Sequence, residues 1–276
     1  MPVSLEGILL ASDLDGTLID SAYQIPQRNL DALCDFMGRG GRFAIATGRA
    51  IESAYRYVRV THPNAPCIVL NGTMLYDYRT NRVLWGNPLP PEAVSYLTHI
   101  FYHFPEVGIE VCTEKGIHVI RENPYIHRHL FRENIKHTNC SLQQVEGQWY
   151  KVFFAMDSQL MEQVRAYMET IPHQGVRFVP SSSYYLEMLP EEADKGTALK
   201  RLTAMLDLDP NNSYAIGDYY NDIELLRAAG VGIVPQNAPM DIQKLAGHVV
   251  CRCELGAVAD AIAVIERNWM EKSSKH

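Results

Sequence analysis

The sequence has no run of the roughly 18 apolar residues that a membrane-spanning helix needs, so no membrane partner is expected. Its opening, MPVSLEGILLASDLDG, lacks the basic stretch of a secretory leader, and Asp13 interrupts its apolar run, so no secretion signal is expected. Cysteine is sparse, with six residues (Cys34, Cys67, Cys112, Cys140, Cys251 and Cys253) scattered through 276. A chain of this length buries a core without disulfide staples. Reduced thiols and a cytoplasmic setting are therefore expected. Cys251-Arg252-Cys253 has no second Cys or His pair at ligand spacing and reads as ordinary thiols. Basic residues are short as well: 25 Lys and Arg stand against 32 Asp and Glu, a net charge of −7. That balance argues against a nucleic-acid partner bound along a basic track, but leaves room for a local basic pocket for a small anion. Repeats and low-complexity segments are also lacking, and the sequence sets no oligomeric state. What is there, 47% hydrophobic and 21% charged residues, suits one large folded domain or two ordinary ones.

The first and last thirds of the chain alternate short buried runs with helical patterns. GILLAS at 7–12, RFAIA at 42–46 and IVL at 68–70 read as strands. Between the first two, Pro26 suits a helix first turn, Leu30, Leu33, Cys34 and Met37 form an apolar stripe, and Gly38 ends it. SYAIGD at 213–218, GVGIV and HVV read as further strands, with helices around Leu199, up to Ala229 and from about Gly256. Short strands separated by helices imply βαβ units and a parallel sheet. The middle differs. After Pro88, Pro90 and Pro91 come a helix and a hairpin, GIEVCTE–KG–IHVI, with Gly116 at its turn. KVFFAMD, a helix from Ser158 to Thr170, and two strands in VRFVPSSSYYLEML complete it. The expected architecture is an α/β core, residues 1–87 and 187–276, interrupted by an inserted α+β domain at 88–186.

Four clusters carry chemistry; the first, second and fourth follow buried runs, and the third stands just before a helix. Asp13-Leu14-Asp15-Gly16-Thr17 comes directly after the first strand. In an open parallel sheet, ligands sit outside the carboxyl ends of the strands. Two acids at i and i+2 there can divide the work, one attacking or holding a cation, the other moving a proton. Ala46-Thr47-Gly48-Arg49 offers a hydroxyl and backbone N–H groups at a helix start, a perch for phosphate. Asp194-Lys195-Gly196-Thr197 can aim an ammonium group at an anion. Gly217-Asp218-Tyr219-Tyr220-Asn221-Asp222 clusters two carboxylates and an amide, which is costly unless a cation shares them. Such oxygen ligands suit Mg²⁺.

DLDGT, ATGR, DKGTALK and GDYYND, in that order, resemble the haloacid dehalogenase superfamily of phosphotransferases. The insertion between the second and third resembles the large α/β cap of the Cof-type, sugar-phosphatase-like branch. Asn71-Gly72 and Gly256-Ala257-Val258 are similar to that branch too. One stretch departs: Val234-Pro235-Gln236-Asn237-Ala238-Pro239 keeps Asn237-Ala238 but implies a stiffer loop before it.

The resemblance implies a Rossmann-like core and a Mg²⁺-dependent phosphatase acting on a small phosphorylated metabolite, with sugar phosphates favoured. Asp13 would be the nucleophile and Asp15 the acid and base. The metal would be held by Asp13, the Asp15 backbone carbonyl and Asp218, with Asp222 behind them. Leu14, Thr47, Gly48, Lys195 and Asn221 would bind the phosphate. Arg49 either supports substrate or cap, or sits in a structural ion pair. In the cap, the Ser181–Tyr185 turn and Glu187 are candidate selectors. His127, Arg128, His129, Arg132, Lys136 and His137 read as a solvated helix face, with contact to an acidic substrate group as the lesser alternative. Two other activities remain open on the same motifs: a phosphohexomutase-type isomerase, and a non-catalytic phosphometabolite-binding protein.

Overall fold

A computed structural model describes residues 3–273. The described residues divide into two compact units, one made of 3–49, 54–84 and 194–273, the other of 50–53 and 85–193. In the first unit, five strands form one parallel sheet. Their order is His248–Val250, Val231–Pro235, Ser213–Ile216, Leu9–Ser12 and Arg42–Ile45. The central strands are short and apolar because helices bury them on both faces, as parallel sheets require. Leu9, Leu10, Phe43, Tyr214 and Ile216 are fully buried. The register is level where it matters: Ser12 lies opposite both Ile216 and Ile45. Three strands therefore end together, and Asp13, Thr47 and Asp218 leave the sheet at one edge.

The first helix, Gln27–Gly38, begins after Pro26 and buries Asn29, Leu33 and Phe36. The expected stripe is thus rotated; Cys34 is exposed. Phe36 takes the inner position, where it packs against Gly41. The strand expected at 68–70 forms as Cys67–Val69 but belongs to a second sheet with Met74–Asp77 and Arg82–Gly86, two strands that the sequence pattern does not announce. Its first strand bridges to the end of the parallel sheet through Ala46 and Ile68.

In the second unit, six strands form one sheet, in the order Val176–Ser182, Tyr185–Pro190, Trp149–Ala155, Gly108–Thr113, Gly116–Arg121 and His137–Asn139. The hairpin at Gly116 forms as its sequence suggests, with Gly116 at φ +130°. Side chains alternate across this sheet. Ile109, Val111, Val152, Phe154, Leu186 and Met188 pack with the helices Ala93–His103 and Ser158–Glu169 into the unit's apolar core. The other face carries Glu110, Cys112, Lys151, Phe153, Tyr185 and Glu187. Because Tyr185–Pro190 pairs with Trp149–Ala155, this unit extends past the sequence-based limit at 186, to Ala193. Leu189 and Pro190 are buried strand residues of the insertion rather than of the parallel-sheet unit.

Candidate active site

Asp13 is 6% exposed, and its backbone N–H continues the ladder by donating to the Ile216 carbonyl at 2.8 Å. The chain then doubles back: Leu18 and Ile19 N–H groups both donate to the Leu14 carbonyl, at 3.0 and 2.9 Å. Gly16 makes this turn at φ +77°, and a β-carbon there would collide with the Asp218 carboxylate. The glycine therefore lets the first motif and the fourth meet. Thr17 adds a bond across the same gap, its hydroxyl donating to Asp218 Oδ1 at 3.1 Å.

Lys195 is the centre of the site. It is the first residue of the helix Lys195–Met205, whose start is capped by the Asp194 side chain accepting from Thr197 N–H at 2.7 Å. Gly196 faces the Glu224 carbonyl, too close for any side chain, so this helix seats tightly against Ile223–Ala228. Thus three residues of the DKGT motif build the helix start and Lys195 alone carries charge inward. Its ammonium donates to Asp13 Oδ1 at 2.6 Å and Asp222 Oδ1 at 2.5 Å, with 1% of its side chain exposed. Burial would lower the lysine pKa, but the charges of Asp13 and Asp222 and their hydrogen bonds outweigh it, and the net shift is upward. Asp222 is fully buried, and its second oxygen accepts the Asp218 and Tyr219 N–H groups at 3.0 and 3.2 Å. It holds the lysine and the loop together.

Burial raises the Asp13 carboxyl well above the usual carboxylate range. Repulsion from Asp222, Asp218 and Asp15 adds to this, and Lys195 opposes it. Asp218 is pushed up to about 7, by burial first and then by Asp222 and Asp15, against the Thr17 hydrogen bond and the charge of Lys195. Oxygens of Asp13, Asp218 and Asp222 lie within 4.8 Å of one another. This donor set fits a hard divalent cation: the oxygens are crowded, and a cation would relieve the repulsion that now favours protonation. Since Asp222 is committed to Lys195 and two N–H groups, Asp13 and Asp218 are the side chains suited to hold the ion.

A pH dependence follows. Between about pH 4 and about pH 7 the folded chain keeps a proton on Asp218 that the unfolded chain releases, so folded-state stability falls as pH rises through that window. Melts in chelator should show Tm decreasing from about pH 4.5 to about pH 7.5, less so in Asp218→Asn, and Mg²⁺ should raise Tm most at the upper end. Equal pH slopes in the two proteins would refute this account of Asp218.

Around the strand ends, Thr47 is 1% exposed and its hydroxyl accepts the Arg49 N–H at 3.1 Å. Its carbonyl accepts the Asn71 N–H at 3.1 Å. Asn71 sits in the left-handed region, φ 57°, beside Gly48, and its side-chain oxygen accepts from Asn221 Nδ2 at 3.3 Å. Asn71 thus joins the second motif to the fourth. Arg49 makes the ion pair, and its partner is Asp15: Nε donates to Oδ2 at 2.7 Å and Nη2 to Oδ1 at 2.6 Å. The rings of Tyr23 and Tyr57 flank the guanidinium at 5.8 and 5.4 Å. Asn237, kept in the divergent loop, donates to the Gly16 carbonyl at 2.8 Å and accepts the Cys253 N–H at 2.9 Å. In the sequence, Asn71 and Asn237 stand out only through the family resemblance; an Asn directly before Gly72 is the local signal for the first.

In the second unit the Ser181–Tyr185 turn is exposed up to Tyr184, whose ring stacks on Tyr125 at 5.5 Å. Glu187 is buried and pairs with Lys151 at 3.4 Å. Of the basic stretch, His127, Arg128, Arg132, Lys136 and His137 are exposed. His129 departs from that reading. It is 8% exposed on the inner side of the helix Pro124–Glu133 and stacks on Phe153 at 4.2 Å. All six cysteines are free thiols. No helix among the described residues is long and apolar enough to cross a membrane.

A parallel α/β sheet with a lysine-braced carboxylate cluster at its carboxyl edge defines an α/β enzyme with an acid-rich, cation-accepting site. Residues 10–262 match the haloacid dehalogenase-like hydrolases, and the chain belongs to that family. The family makes it a hydrolase. An HMP-PP phosphatase of Yersinia pseudotuberculosis is 29% identical, over 97% of this chain and 96% of its own length. A solved haloacid dehalogenase-like hydrolase from Bacteroides thetaiotaomicron superposes with a TM-score of 0.85 at 25% identity, covering 94% of this chain and 99% of that one. The fold is also that of a solved subclass IIB sugar phosphatase, with a TM-score of 0.80 at 18% identity over 93% and 98% of the two chains.

Proposed function

We propose that this enzyme hydrolyses small phosphorylated metabolites, sugar phosphates foremost, with Mg²⁺ and through an aspartyl phosphate on Asp13. The observation that carries this reading is the Lys195 ammonium held between Asp13 and Asp222 at the end of the central strand. Asp13 is a nucleophile that needs no base once ionised. Lys195 stabilises that ionised form and draws in the phosphate dianion. Asp13 and Asp218, with the Asp15 carbonyl, would hold Mg²⁺, which supplies positive charge against the phosphate oxygens. The Leu14 N–H, Thr47, Gly48 and Asn221 would orient those oxygens. Asp15 would give a proton to the leaving alkoxide and take one from the water that cleaves the intermediate. For that, the bidentate bond from Arg49 must loosen, so Arg49 positions Asp15 for the reaction. The inserted unit would act as the cap that selects the leaving group and excludes water. Six free thiols fit a reducing compartment, the cytoplasm.

The test is phosphate release from a panel of esters that includes hexose phosphates and HMP-PP, the substrate in the Yersinia relative's name. Activity should vanish in chelator, return with Mg²⁺ and be inhibited by Ca²⁺, whose larger and looser shell misplaces the attacking carboxylate. Full turnover in metal-free buffer would overturn the metal assignment. Interconversion of hexose 1- and 6-phosphates without phosphate release would replace hydrolysis with isomerisation.

A further inference from the structure

Asp15 can act as acid and base only while its carboxyl group points at the leaving oxygen, yet 45% of its side chain is exposed. A carboxylate so exposed has several rotamers open to it. Arg49 holds it, gripping both oxygens, with 4% of its own side chain exposed. A guanidinium is a rigid fork, but it stands on a flexible methylene stem, so its plane needs fixing in turn. Two rings lie against it. Arg49 Cζ is 5.8 Å from the centre of the Tyr23 ring and 5.4 Å from that of Tyr57. Both distances fall within the about 6 Å over which a ring face attracts a cation. Tyr57 is itself fixed. It is 4% exposed, its hydroxyl accepts from Arg56 Nη2, and Arg56 Cζ lies 4.5 Å from its ring centre.

Tyr23 is held differently, and against its own backbone preference. Its φ is 60°, where the β-carbon of an L-residue crowds the following carbonyl. Other non-glycine residues among those described share this region, but Asn71, Asn81, Asn134, Asp207 and His62 are of types that tolerate it. Leu70 is 1% exposed, so burial offsets its strain. Tyr23 is bulky and only half-buried. The turn that imposes the angle is closed by Asp20. Its Oδ1 accepts the Ala22 and Gln24 N–H groups at 2.9 Å each, its N–H donates to the Gln24 carbonyl at 3.0 Å, and its carbonyl accepts the Tyr23 N–H at 3.0 Å. None of these bonds uses the tyrosine side chain, and an asparagine would make the same turn with less strain. The ring accounts for the residue instead: it lies against Arg49 and also against Arg56, at 5.7 Å. Backbone strain that the surrounding structure sustains is characteristic of functional sites.

We propose, on the basis of the phosphatase reading above, that Tyr23 is a positioning residue for the acid–base step: its ring holds the Arg49 guanidinium aligned with the Asp15 carboxyl group. The attraction of a ring face for a cation does not depend on the charge of Asp15. When the Arg49 bonds loosen during proton transfer, the guanidinium therefore stays beside Asp15 and realigns it for the second step. Tyr23 acts through Arg49 and moves no proton itself.

The experiment compares the full-length wild type with Tyr23→Asn, which suits the turn and lacks the ring, and Tyr23→Phe, which keeps the ring. With Mg²⁺, Tyr23→Asn should lower kcat for a hexose 6-phosphate by about threefold to thirtyfold, the span of one cation–ring contact, with KM nearly unchanged. The loss on p-nitrophenyl phosphate, whose leaving group needs little protonation, should be smaller. Tyr23→Phe should restore most of the lost kcat. In chelator, the Tm of Tyr23→Asn should stay close to that of wild type, since relieved strain offsets the lost ring contacts. A second measurement needs no turnover. In ¹⁵N spectra the Arg49 Nε–H, identified by its absence in Arg49→Lys, should exchange with solvent about three to thirty times faster in Tyr23→Asn than in wild type, and near the wild-type rate in Tyr23→Phe. If no ester is hydrolysed, the phosphatase reading fails while the exchange rate still decides this one. Equal kcat losses on the two esters, with or without a lowered Tm, would assign Tyr23 to structure; that result, or unchanged Nε–H exchange, overturns the proposal.

Discussion

Asp13→Asn should abolish turnover, by about 10⁴-fold or more, equivalent to about 5.5 kcal/mol of barrier. The substitution keeps the size and shape of the side chain but removes the charge that attacks phosphorus. It also takes away one of the two carboxylates suited to the metal and one of the two that Lys195 bridges. Folding should survive, because Asp222 still pairs with the lysine at 2.5 Å and the Asp13 backbone bond to Ile216 is untouched. Mass spectrometry of rapidly quenched enzyme should find phosphate on the wild-type residue and none on the variant. With an ester made chiral at phosphorus by oxygen isotopes, two successive in-line displacements should release phosphate with its configuration retained. Near-normal turnover in Asp13→Asn, or inversion at phosphorus, would mean direct attack by water.

Asp15→Asn should divide substrates by their leaving groups. A sugar alkoxide is a poor leaving group and needs the proton, so its hydrolysis should drop by about 10²–10⁴-fold, the usual span of general acid–base catalysis. An activated aryl phosphate needs little protonation, so its first step should partly recover. The second step still lacks its base, and an aspartyl phosphate on Asp13 should accumulate and be visible in a rapid quench. Arg49 offers a companion measurement. It holds both oxygens of Asp15, so Arg49→Lys should weaken the same proton transfers without touching the nucleophile. Its loss should be greater for alkyl than for aryl esters. Equal losses on both ester types in Asp15→Asn would remove Asp15 from proton transfer.

Much of this protein follows from local sequence. Short apolar runs that end in Asp13, Thr47 and Asp218 already place those residues at strand ends, because a strand buried on both faces has no other signature and its first polar residue marks its exit. The Lys115-Gly116 turn likewise declares its hairpin, since the positive φ at the turn favours glycine. The acid and lysine clusters could be sorted by chemistry before any fold was known. The tertiary structure decided what long separations and small rotations control. Thr17 meets Asp218 across 201 residues, and Arg49 meets Asp15 across 34. No spacing rule links such pairs; only the level register of three parallel strands does. In the helix Gln27–Gly38 the inner face falls on Asn29, Leu33 and Phe36, because the surrounding core admits the larger Phe36 in place of Cys34. His129 turns inward for the same kind of reason: its helix packs against the sheet of the inserted unit, and the ring finds Phe153. Glu110 and Glu187 reach one sheet face from strands far apart in sequence, so their juxtaposition is set by strand order and register, which depend on how the whole sheet assembles.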